Sequence, residues 1–105
     1  MLQSLTTADF DEKVGSAEGV VVVKYGAEWC GACNDIVPVL EEVIATADVP
    51  FYEVDIDAEP ELKTRAGVKG IPAVFFYKGG RIKNFIFGMT TADKIQHKLE
   101  MTKRS

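Results

Sequence analysis

Cys30-Gly31-Ala32-Cys33 holds the only two thiols in a chain of 105 residues. As a structural staple the pair is poor, because closing so short a loop removes little entropy from the unfolded chain. The same spacing suits a nucleophilic thiolate with a second thiol one helical turn away, or half of a tetrahedral zinc site. Zinc would need two further ligands. Beyond the cysteines the single histidine is His97, set among Lys94, Lys98 and Glu100 on a polar segment, where it reads as a solvated surface residue. Acidic side chains or a second copy's cysteine pair would have to complete such a site, so redox chemistry is the better reading and no metal is expected.

The pair works only if the elements around it place it correctly. Val20-Val21-Val22-Val23-Lys24-Tyr25 is a β-branched run without alternation, as in a central strand buried on both faces, and Gly26 ends it. A helix is expected from near Cys30 to about Ala45, with Ile36, Val39, Leu40, Val43 and Ile44 as its apolar stripe and Pro38 kinking it. Cys30 then stands where a strand runs into a helix. The free N–H groups of the first turn and the helix dipole both favour a thiolate there. Around this unit the sequence predicts a short strand over Leu2–Leu5 and a helix capped by Thr6 or Thr7 through about Val14. It further predicts a second buried strand over Val49–Val54, a short helix over Glu59–Arg65 ended by Gly67, and a hairpin of Ala73–Tyr77 and Arg81–Phe87 around Gly79-Gly80. A final helix is capped by Thr90 or Thr91, with Ile95 and Leu99 inward. The order βαβαβ(α)ββα makes an α/β domain over residues 1–105, its central mixed five-stranded sheet carrying helices on both faces.

Composition adds exclusions. With 47% hydrophobic and 27% charged residues and a net charge of -4, the chain is an ordinary globular domain and no general nucleic-acid binder. No apolar run approaches the roughly 20 residues that span a bilayer. Met1 to Thr7 lacks the basic start and apolar stretch of a secretion signal, so a cytoplasmic, membrane-free protein is expected. The charge is uneven: residues 1–60 carry 13 acidic and two basic side chains, residues 61–105 three and ten. The expectation is that folding interleaves the two halves, with a charged docking surface as the alternative.

Lys24-Tyr25-Gly26-Ala27-Glu28-Trp29-Cys30-Gly31-Ala32-Cys33 resembles the thioredoxin active-site stretch, Asp-Phe-x-Ala-x-Trp-Cys-Gly-Pro-Cys. Pro38 matches the proline that kinks the family's long helix. Val68-Lys69-Gly70-Ile71-Pro72 matches the segment that ends in its cis-proline, and Gly80 and Gly88 fall at the spacing of its hairpin glycines. The likeness covers nearly the whole chain. It implies the thioredoxin fold and a thiol–disulfide oxidoreductase acting in electron transport and redox homeostasis. It also implies a substrate groove of Trp29, Gly31, Ala32, Gly70, Ile71, Pro72, Gly88 and Met89. In that groove Ile71 would pair its backbone with a substrate peptide, and the glycines would let another chain come close.

Three residues depart from the family pattern. Ala32 replaces the proline between the cysteines, which is expected to make the pair less reducing. Asn34 replaces a lysine. Lys24 stands where the family has a buried aspartate credited with moving protons for the second cysteine, and Glu53 where it often has lysine. Either Lys24 snorkels to solvent and Glu53 is ordinary surface, or the two form a sign-exchanged pair that tunes the thiols. If that pair is buried, removing one member would cost about 3–5 kcal/mol.

The leading expectation is a monomeric protein-disulfide reductase. Cys30 attacks a protein disulfide, Cys33 resolves the mixed disulfide, and a separate thioredoxin-reductase-type donor recycles the pair, with no cofactor beyond the cysteines. The alternatives are a more oxidising oxidase- or isomerase-like protein and a non-catalytic binding subunit on the same scaffold.

Overall fold

The computed structural model describes residues 2–105; Met1, where the leader reading begins, lies outside them. Five strands form one sheet: β1 (Gln3–Ser4), β2 (Val20–Gly26), β3 (Phe51–Asp55), β4 (Ala73–Lys78) and β5 (Arg81–Phe87). Their spatial order is β1-β3-β2-β4-β5, with β1, β3 and β2 parallel and β4 and β5 antiparallel. The four α-helices are α1 (Thr7–Phe10), α2 (Gly31–Ile44), α3 (Pro60–Ala66) and α4 (Ala92–Arg104). This is the mixed α/β sheet that the sequence pattern predicts, in the thioredoxin architecture that the resemblance implies.

The valine run is the centre of the sheet, and every residue of β2 is buried. Its odd-numbered side chains join Phe10, Val54, Leu62, Phe75 and Tyr77 in one core. Val20 and Val22 join Ile36, Leu40, Phe76, Ile95 and Leu99 in the other. Strand alternation thus explains why a continuous apolar run is needed there.

Local chemistry sets the ends of the elements. Thr6 N–H donates to Asp9 Oδ1 at 2.7 Å, and Thr7 donates through both N–H and Oγ1 to Glu59 Oε1, which ties α1 to the start of α3. The helix expected to run to Val14 instead becomes a π-helical turn over Asp11–Gly15, because Ser16 N–H reaches back five residues to the Asp11 carbonyl at 2.8 Å. β3 begins at Phe51 rather than Val49, since Pro50 has no N–H for a ladder and offers only its carbonyl, to Val22 N–H. Gly67 takes φ +71° and ends α3, while Gly79 and Gly80, both at positive φ, close the hairpin. Thr91, not Thr90, caps α4 by accepting from Lys94 N–H.

The sheet order does not interleave the charged halves. The three strands from residues 1–60 lie together, and the two from residues 61–105 lie beside them. Arg65–Asp11 and Lys103–Asp48, both at 2.8 Å, bridge the two halves.

Tyr25 and Tyr77 share a hydrogen bond of 2.6 Å between their hydroxyls inside the core. Burial pushes both hydroxyls upward in pKa, so the folded chain holds them neutral. An unfolded tyrosine ionises near pH 10, so unfolding releases protons as the pH approaches and passes that value, and stability falls as the pH rises through it. Urea midpoints at pH 8 and pH 10.5 should therefore differ, and the Tyr25→Phe, Tyr77→Phe double variant should lose less between them.

Candidate active site

β2 delivers the chain to the carboxyl edge of the sheet, and Gly26 through Trp29 turn it into α2. Cys30 is the N-cap of that helix, in extended conformation, and its sulfur accepts from Cys33 N–H at 3.2 Å. No acidic residue stands in the first turn, so nothing offsets the positive potential of the helix start. Cys30 and Cys33 are joined as a disulfide, their Cα atoms 5.2 Å apart. Cys33 is wholly buried, whereas Cys30 keeps 9% of its surface exposed. Attack from outside can therefore reach only the Cys30 side.

Tyr25 pairs with Ala73 across β2 and β4, which brings the cysteine loop and the segment before β4 to the same end of the sheet. The Ile71–Pro72 bond is cis, Pro72 is buried and Ile71 half-buried. The Pro72 carbonyl accepts from Gly88 N–H at 2.7 Å, linking both loops, and Met89 beside it is exposed. Gly31, Ala32 and Gly70 are exposed. A Cβ at Gly31, Gly70 or Gly88 would meet nothing within 4 Å, so these positions border open space. Among the described residues Trp29 is the most exposed large apolar side chain, at 71%, and its indole N–H donates to Asp57 Oδ2 at 2.6 Å. Asp57 was not singled out by the sequence reading. Its signal is the Asp55-Ile56-Asp57 turn after β3, in which Asp55 Oδ1 accepts from Asp57 N–H and fixes the carboxylate that holds the tryptophan.

Lys24 and Glu53 are register neighbours on β2 and β3, and Lys24 Nζ lies 3.6 Å from Glu53 Oε1. The Lys24 side chain is 8% exposed but that of Glu53 is 39% exposed, and a cavity of about 330 Å³ borders both, together with Gly26, Glu28 and Asn34. Lys24 therefore neither snorkels free nor sits in a sealed pair, and the expected 3–5 kcal/mol is corrected downward because half of the pair stays hydrated. The lysine stem also comes close to the redox pair: a Cβ at Gly26 would meet Cys33 Cβ and Sγ at 3.1 Å and Lys24 Cε at 3.2 Å. Glu53→Gln leaves a buried ammonium without its carboxylate and should cost about 1 kcal/mol. Lys24→Met removes the buried charge, leaves a hydrated glutamate, and should cost less or stabilise. Urea unfolding of both variants checks this order.

His97 is exposed on α4, and among the described residues no three His, Cys, Asp or Glu side chains converge to hold a metal ion. No helix among them is long and apolar enough to cross a membrane.

A cysteine at a helix start, bonded to a buried partner one turn on and opening onto a glycine-bordered surface, defines a thiol–disulfide oxidoreductase. Residues 1–101 match the Thioredoxin family model. The chain is 30% identical over 101 residues to the chloroplastic M-type thioredoxin of Pisum sativum, a match that covers 94% of this chain but 59% of that protein. It is 32% identical over 91 residues to thioredoxin-2 of Saccharomyces cerevisiae (86% of this chain, 88% of that one). It is 37% identical over 84 residues to the thioredoxin of Rhodospirillum rubrum (77% and 80%). Among solved structures, the thioredoxin of Malassezia sympodialis superposes with a TM-score of 0.85 at 28% identity, covering 98% of this chain and 91% of that one. The chain belongs to the thioredoxin family.

Proposed function

We propose that this chain is a general protein-disulfide reductase that works as a monomer in the cytoplasm and is recycled by a separate thioredoxin-reductase-type flavoprotein. The single observation that carries the reading is the unequal exposure of two bonded cysteines at one helix start. In the reduced state the Cys30 thiolate attacks one sulfur of a substrate disulfide and forms a mixed disulfide, while the other substrate sulfur leaves as a thiolate. Cys33, deprotonated, then attacks Cys30 Sγ. The second substrate thiolate departs and the Cys30–Cys33 disulfide is restored. Two electrons pass from the dithiol to the substrate.

The remaining site residues serve these two attacks. Trp29, Gly31, Ala32, Gly70, Ile71, Pro72, Gly88 and Met89 receive the substrate chain, with the Ile71 backbone pairing to it without reading its sequence. The Lys24 ammonium favours the thiolate form of the pair, so Lys24→Met should move thiol alkylation of the reduced protein to higher pH. A protonated lysine cannot act as a base, so proton removal from Cys33 falls to Glu53, acting through water, or to bulk solvent.

The test is a redox titration against glutathione joined to turnover with NADPH and a flavoprotein thioredoxin reductase. A reductase should titrate near or modestly above about -270 mV, the figure typical of thioredoxin itself, and should turn over. Ala32 in place of proline favours a second reading, an oxidase- or isomerase-like protein. A potential near about -180 mV without turnover would select it.

A further inference from the structure

Six large apolar side chains are exposed among the described residues, and their placement is uneven. Trp29 directly precedes Cys30, and Met89 directly follows Gly88. Ile82, Phe85 and Phe87, at 39%, 51% and 44% exposure, all belong to β5. The register puts them on one face: Phe87 pairs with Ala73, Phe85 with Phe75, and, after a bulge, Ile82 with Tyr77. The Phe85 and Phe87 ring centroids are 5.1 Å apart, and both pack on Phe75, at 5.8 and 5.9 Å. On the opposite face of β5, Ile86 packs against the core that holds Ile95 and Leu99 of α4. β5 is also an edge strand.

An exposed aromatic row on a sheet edge invites association. What would associate is set by the surrounding charge. Exposed Arg81 and Lys83 stand on either side of Ile82 on β5, and Arg65 lines a cavity with Tyr77, Arg81 and Ile82. Arg65 is engaged by Asp11, and one acid, Asp93, stands with Lys94 and Lys98 around the cavity that Phe85 and Ile86 border, so the surroundings stay net basic. Two such faces would repel each other, whereas an apolar segment that carries carboxylates would be matched in both respects. The row also continues the redox groove. Phe87 directly precedes Gly88, whose N–H is held by the Pro72 carbonyl, and from there the row runs roughly 15 Å along the strand.

We propose that the open face of β5, built from Ile82, Phe85 and Phe87, docks an acidic, apolar segment of the proteins whose disulfides Cys30 attacks. This rests on the reductase reading for its occupant and deepens it, because a groove that reads only backbone would otherwise give no preference among protein disulfides. Docking beside the groove raises the effective concentration of the neighbouring disulfide at Cys30 and leaves the exchange chemistry unchanged.

The experiment uses two synthetic peptides with the same disulfide loop, one followed by a Leu/Phe/Asp/Glu flank and the other by the same flank with Asp and Glu replaced by Lys. Wild type should reduce the acidic peptide with at least a tenfold higher kcat/KM, the gain appearing in KM. Phe85→Ser and Arg81→Glu should each remove most of that preference while leaving reduction of the small disulfide DTNB unchanged. Fluorescence anisotropy with a labelled, cysteine-free acidic flank reads docking independently of redox chemistry. Loss of DTNB reduction in the wild type would therefore count against the reductase and not against the docking face. Equal kcat/KM for both peptides, or a preference that survives both substitutions, would overturn the proposal. So would a concentration-dependent dimer in sedimentation that Phe85→Ser dissolves, because the occupant would then be a second copy.

Discussion

Cys33→Ser should stop turnover and accumulate a covalent complex between the protein and its substrate through Cys30. The serine hydroxyl is nearly isosteric with the buried thiol, so the fold should persist. Its position under Cys30 cannot supply the second attack, and the mixed disulfide has no internal exit. Turnover should fall on the order of 10³-fold or more, as when one of two residues that act as a unit is removed. Cys30→Ser should be equally inactive but should trap nothing, because the remaining thiol at Cys33 is wholly buried. Non-reducing electrophoresis of each variant with a disulfide-bonded protein separates the two outcomes. A complex formed by Cys30→Ser, or preferential alkylation of Cys33 in the reduced wild type, would reverse the assignment of nucleophile and resolver.

Gly80→Ala should be the most destabilising small substitution in the hairpin. Gly80 has φ +78°, and a Cβ there would overlap the Gly15 carbonyl oxygen at the end of the π-helical turn. Left-handed backbone alone costs an alanine about 1–2 kcal/mol, and backbone overlap adds to it because neither segment can yield without breaking its own hydrogen bonds. A total of about 3 kcal/mol or more is expected, lowering Tm by at least ~10 °C in a domain of this size. Gly79→Ala is the control. Its φ is +62°, but its Cβ would meet nothing within 4 Å, so it should show the conformational cost alone. Equal losses in the two variants would mean that the contact with Gly15 carries no weight.

How much of this was readable in advance follows from the physics of each feature. The central strand was legible because Val20–Val23 can be satisfied only by burial on two faces, and the helix start because Cys30 follows a strand ended by glycine. The family pattern located Pro72 and Gly88, which the fold brings to within one hydrogen bond. The π-helical turn was not legible: nothing in the order of residues marks Ser16 N–H as bonding back to the Asp11 carbonyl rather than one residue nearer. Nor was the hold of Asp57 on Trp29, which joins two loops across the end of the sheet. Lys24 and Glu53 could be paired from their family positions, but their unequal burial comes from the cavity beside β2 and β3. Strand order, which composition does not encode, groups the strands of each charge half, while Arg65–Asp11 and Lys103–Asp48 join the halves outside the sheet. The row on β5 is not legible from alternation, since the pattern in Ile82–Phe87 is interrupted by the bulge at Phe76/Tyr77.

The central claim is that Cys30 and Cys33 act together as a two-electron donor to protein disulfides. It is tested most directly by mixing the reduced chain with a disulfide-bonded protein, quenching in acid, alkylating the free thiols and weighing both proteins. The account predicts one Cys30–Cys33 disulfide formed for each substrate disulfide opened, with two alkylated thiols on the substrate and none on this chain. An intact substrate disulfide, with Cys30 and Cys33 both alkylated, would contradict it.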